Sequence, residues 1–178
     1  MSKRKWAASF FLAVSLAGCS GGPAPEGKEG VPAGQAAQGV PDACAVLTAD
    51  DIHQALGMVV QVQASDQLKS VSMLSQCSYE WSENAQNVVS VLVRAGAPNL
   101  TPETNLQQYV DGLKTNMGEG YQIDPVAGLS GPAVWNPDMR QLTVFKGSTL
   151  IIFTMFEVGS EDALEAAKAL AEKALPRI

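Results

Sequence analysis

Residues 140–156 read RQLTVFKGSTLIIFTMF, and this stretch decides the fold. Arg140–Lys146 and Thr149–Phe156 are rich in β-branched and aromatic side chains, and Gly147-Ser148 between them suits the tight turn of an antiparallel hairpin. Within the second run, Leu150-Ile151-Ile152-Phe153 is apolar at four successive positions. Side chains of a strand alternate between faces, so such a run predicts a central strand covered on both sides.

Working outward, Asn136-Pro137-Asp138 makes a turn before this hairpin. Ala133–Trp135 and Tyr121–Val126 are further strand-like runs upstream of it. Three more lie in the first half: Met58–Ala64, Gln76–Ser82 and Val88–Ala95. The alternation in Gln76–Ser82 puts Cys77, Tyr79 and Trp81 on one face and Ser78, Glu80 and Ser82 on the other. Ser65–Ser75 reads as a loop that can expose Met73 and Leu74.

Helices punctuate these runs. Thr48 caps the first, Asp50 and Asp51 complement its dipole, Ile52 and Leu56 give it an apolar face, and Gly57 stops it. A second begins near Thr101 or Thr104 and carries Leu106, Tyr109, Val110, Leu113 and Met117 at helical spacing. A third is capped by Ser160, has Glu161 and Asp162 in its first turn, and runs through an alanine-rich stretch to Pro176. The fold class is therefore α+β: a mainly antiparallel sheet with three helices packed on it, and a suggestion of two αβββ-like halves.

The front of the chain has another character. Lys3, Arg4 and Lys5 precede Trp6–Ala17, an apolar run interrupted by two serines. As a helix it would reach only ~18 Å, short of a ~30 Å hydrocarbon core, so residues 1–18 read as a signal peptide. Leu16-Ala17-Gly18-Cys19 resembles the lipobox of bacterial lipoproteins. That resemblance implies cleavage before Cys19, lipid on its sulfur, and a place in the cell envelope. In a Gram-negative cell, Ser20 after the cysteine fits outer-membrane sorting, with the protein facing the periplasm; otherwise the outer face of the cell membrane is expected. Residues 19–41 are Gly, Pro, Ala, Gln and Glu with few large apolar side chains, and read as a disordered tether. Residues 42–178 fit one domain.

Cleavage removes three of the 12 basic residues and none of the 18 acidic ones, so the charge moves from −6 to −9. An acidic chain with scattered Lys and Arg argues against a nucleic-acid partner. Beyond Cys19, Cys44 and Cys77 remain, and two cysteines in an oxidising compartment most often pair. The rival reading, thiols for redox or metal chemistry, lacks a Cys-x-x-Cys and has one histidine, His53, to draw on. No cofactor or metal is expected.

Several stretches together resemble the DUF3558-like families of small bacterial lipoproteins. They are Asp42-Ala43-Cys44-Ala45-Val46-Leu47-Thr48, Cys77-Ser78-Tyr79-Glu80-Trp81, Val126-Ala127-Gly128-Leu129, Ala133-Val134-Trp135, and the closing helix. Where members often carry Gly-Asp-Ala, this chain has Ser130-Gly131-Pro132. The resemblance implies an exported, disulfide-bearing α+β domain and supplies no activity.

The leading expectation is a membrane-anchored, non-catalytic envelope module that binds a protein partner or a small ligand. Trp135 with Tyr121, or Met73 with Leu74, are candidate contact surfaces, whereas Trp81 reads as core. An enzyme would need a site assembled from distant positions such as Asp50, Asp51, His53, Glu80 and Glu157, which no sequence pattern joins. A structural or assembly factor of an envelope machine is the third class.

Overall fold

The computed structural model describes residues 40–64, 73–83, 86–118, 120–156 and 162–178. The expected signal peptide, Cys19 and the expected tether up to residue 39 lie outside them, as do Ser160, Glu161, Glu157 and residues 65–72.

Chain order runs α1 (Ala43–Val46), α2 (Ala49–Leu56), β1 (Val60–Ala64), β2 (Leu74–Trp81), β3 (Asn87–Ala95), α3 (Pro102–Met117), β4 (Asp124–Val126), β5 (Ala133–Asn136), β6 (Gln141–Lys146), β7 (Thr149–Met155) and α4 (Ala163–Ala174). A 3-10 turn, Leu175–Arg177, closes the chain. The seven strands form one sheet in the order β1-β2-β3-β7-β6-β5-β4, antiparallel throughout. The apolar run of residues 150–153 belongs to β7, which sits in the middle of that order.

Strand register sorts the side chains into two faces. Tyr79, Val89 and Met155 are neighbours across β2, β3 and β7, and Phe153 faces both Val91 and Leu142. This face is the main core, closed by Val46 and Leu47, by Ile52 of α2, and by Ala163, Ala167, Leu170, Ala171 and Ala174 of α4. Alanines let α4 approach the sheet closely while Leu170 fills the space between, which fits the close packing of interiors.

The opposite face carries buried Phe145, Leu150 and Val134, and α3 packs on this face against β6. Tyr109 of α3 meets Phe145 edge-on at 6.4 Å, and its hydroxyl lies 3.5 Å from Thr143 Oγ1. The strand order is close to symmetric about the β3–β7 seam, as two αβββ halves would require. The helices break that symmetry, because α2 and α3 cover opposite faces.

Several expectations are sharpened or corrected. A short helix, α1, precedes Thr48; Asp42 caps it by accepting from the Cys44 N–H. Cys44 on α1 and Cys77 on β2 are bonded, with sulfurs 2.09 Å and Cα atoms 5.1 Å apart. Trp135 is 7 % exposed on the core face and is no contact surface. Met73 is exposed, but Leu74 opens β2 and pairs with Arg94. Asp162 stands at the start of α4 without a side-chain cap bond. Gly131 passes so close to β6 that a Cβ there would meet the Phe145 carbonyl oxygen at 2.1 Å. Only glycine fits this backbone approach.

Candidate binding cleft

Helix α3 is held at one end of the sheet. Asn105 is buried, donates Nδ2 to the Ala97 carbonyl at 3.2 Å and accepts the Ala97 N–H on Oδ1 at 3.1 Å. Gly96 donates to the Ser148 carbonyl at 2.6 Å, which ties the end of β3 to the β6–β7 turn. These bonds seat the helix over β6, and among the described residues no helix covers β2, β3 and the far end of β7 on the same face.

This part of the face holds an open cleft of about 370 Å³. Its floor is Ser90 and Leu92 of β3 with Ile152 and Thr154 of β7, adjacent through the pairs Ser90↔Thr154 and Leu92↔Ile152. Gln76 and Gln141 flank this floor, and each is tethered to a hydroxyl: Gln76 Nε2 donates to Ser90 Oγ at 3.2 Å and Gln141 Nε2 to Thr154 Oγ1 at 3.1 Å. Met139 and Phe156 form the rim, 47 % and 44 % exposed. Arg140 holds that rim: it adopts φ 53° and donates Nη1 to the Phe156 carbonyl at 2.8 Å. The lining side chains are all uncharged. They offer amide and hydroxyl groups beside apolar surface, a mixture suited to orienting a neutral ligand.

The second polar grouping lies on the core side. Asp51 is 4 % exposed and completes a capping box with Thr48, whose N–H and hydroxyl donate to Oδ2 at 2.9 and 2.7 Å. Arg177 approaches from the far end of the chain, donating Nη1 to Oδ2 at 2.5 Å and Nη2 to Oδ1 at 3.0 Å. The same guanidinium donates to the Val46 carbonyl, and the Tyr79 hydroxyl to the Leu47 carbonyl. Hydrogen bonds from Arg177, opposed by burial and helped by Thr48, hold the Asp51 carboxyl well below the usual carboxylate range. Burial and then the charge of Asp51 push the Tyr79 phenol up, so it remains a neutral donor. Both carboxylate oxygens are engaged by donors. The cluster is a latch with no oxygen free to act as a base.

Among the described residues, the side chains named as enzyme candidates do not converge, and Glu157 lies outside them. Asp50 and His53 are exposed on α2, whereas Glu80 lies on the opposite face, where Gln63 Nε2 donates to it at 3.2 Å. Among the described residues no three His, Cys, Asp or Glu side chains are grouped to hold a metal ion. None of the helices among them is long and apolar enough to cross a membrane.

Alternation in residues 88–95 already puts Ser90 and Leu92 on one face of their strand, whereas the run at 150–153 is apolar on both faces and does not single out Ile152 or Thr154. What brings the two runs side by side is the β3–β7 pairing, which joins residues about sixty apart and leaves no local signal. Arg177 is likewise invisible in sequence, since nothing near residue 51 announces a partner at the opposite end. Comparison of the chain with protein-family models, with curated proteins and with solved structures returns no match.

Proposed function

We propose that this chain is a lipid-anchored module of the cell envelope that binds a neutral, partly apolar ligand in the cleft over β3 and β7 and performs no chemistry on it. The observation that carries the reading is the asymmetric cover of the second face. One helix seals β6, while Leu92, Ile152, Met139 and Phe156 stay accessible beside two amide–hydroxyl pairs. A sheet face with no function would be expected to cover such apolar surface or replace it with charge. The anchoring part rests on Lys3–Lys5, the apolar run 6–17 and Leu16-Ala17-Gly18-Cys19. A disulfide that ties α1 to β2 fits an oxidising compartment. The same bond, the capped segment before it and the alanine-rich closing helix support kinship with the DUF3558-like lipoproteins.

Nile red, a neutral apolar dye, provides a probe for the cleft. Titrated into the chain, it should give a saturable rise in emission. Phe156→Ala and Leu92→Gln should each weaken that binding about tenfold, a loss of ~1.4 kcal/mol. Binding that neither substitution changes, or no saturable rise at all, would remove the cleft from consideration.

A further inference from the structure

The two edges of the sheet are built differently. At one edge, β4 is three residues long and carries Pro125 at its centre, beside Asp124. Proline has no N–H to offer, and a short strand with a proline and a charge is a common guard against pairing. The other edge, β1, is Val60-Gln61-Val62-Gln63-Ala64, with no proline, glycine or charge.

Hydrogen bonding fixes which backbone groups of β1 point outward. The Ser82 N–H donates to the Val59 carbonyl at 3.1 Å, so residue 59 faces β2. Strand backbones alternate, and residues 61 and 63 therefore also face β2, opposite Glu80 and Ser78. On the far side of Trp81, its N–H donates to the Gln86 carbonyl, which confirms the phase from β2 itself. Val60, Val62 and Ala64 turn their N–H and C=O groups away from the sheet. Beside them the side chains of Val59 and Val62 are 60 % and 46 % exposed.

We infer that β1 pairs with β1 of a second copy of this chain, antiparallel about a twofold axis at Val62. In that register Val62 faces Val62 of the second copy and Val60 faces Ala64, so every outward backbone group meets a complementary one. Gln61 falls opposite Gln63 on the other face, amide against amide. No like charges are opposed, although the chain as a whole is acidic. The strand is self-complementary, which an isologous interface requires, and the contact is independent of the cleft. The twofold stands perpendicular to the sheet, so both copies' clefts open on the same side.

The test uses the full chain in dodecyl maltoside. Light scattering should give the mass of two chains, and Val62→Lys, which sets two ammonium groups against each other, should halve it. Circular dichroism of that variant should match the parent, since Val62 is already half exposed. A Val62→Cys chain should form a reducible dimer, because directly opposed Cα atoms of a hydrogen-bonded pair lie ~5.5 Å apart, within disulfide reach. Gln61→Cys, displaced from its own symmetry mate, should link far more slowly. A single-chain mass at the highest soluble concentration, or equal linking by both cysteines, would overturn the proposal. Capture of a foreign strand by a chain that is otherwise monomeric would overturn it as well.

Discussion

Asp51 shows how a residue that looks like catalytic material can be wholly occupied in holding a fold. Its carboxylate caps α2 locally through Thr48 and is gripped by Arg177 from 126 residues away. Removing a charge-assisted, largely buried bond costs ~1.5–3 kcal/mol, and the partial exposure of Arg177 favours the lower half of that range. Asp51→Asn should therefore lower stability at pH 7 by about 2 kcal/mol in urea melts. The folded-state pKa of Asp51 is depressed below the unfolded value of ~3.9. Its contribution is thus complete above about pH 4 and lost progressively as pH falls further. The parent should weaken between about pH 4 and pH 2 more steeply than Asp51→Asn. Equal acid limbs for the two proteins would show that Arg177 contributes nothing through this pair. The Thr48 cap was legible in the sequence, while the reciprocal bond to Asp51 and the arginine were not, because an ion pair between residues 126 apart follows from tertiary placement alone.

At the scale of elements, α1 is instructive. Four residues cannot sustain a helix, since nucleation is unfavourable and a single turn gains little from propagation. It persists because Ala43 and Val46 are buried, the Ala43 N–H reaches Ser75 Oγ at 2.9 Å, and Cys44 is bonded to Cys77. The bridge fastens residues before the first predicted helix to the second strand, closing a long loop. Replacing both cysteines by alanine should cost roughly 3–4 kcal/mol in denaturant unfolding. Amide exchange at Ala45–Leu47 should accelerate before that of the sheet. Unchanged exchange there would show that packing alone holds α1. The strands were readable from period-two alternation and β7 from its unbroken apolar run, whereas α1 lacked the length to leave a periodic signal.

For the whole molecule, two properties sit at opposite ends of the chain's logic. Where the protein works rests on Cys19, through the lipid proposed for its sulfur. Cys19→Ser should shift the protein from the membrane fraction to the soluble fraction on cell fractionation, and continued sedimentation with membranes would defeat the anchoring proposal. The binding proposed for it rests on the sheet, whose two faces are covered to different extents among the described residues. By itself the sequence determined the strands, the long helices, the hairpin around Gly147-Ser148 and the central place of β7, because hydrophobic periodicity and turn chemistry act over a few neighbouring residues. Only the tertiary structure decided that β3 lies against β7, that α3 takes the face opposite α2, and that Trp135 is buried while Phe156 stands at a cleft. Those outcomes depend on contacts between distant residues, where the free energy of burial is shared across the sheet and no local pattern records it.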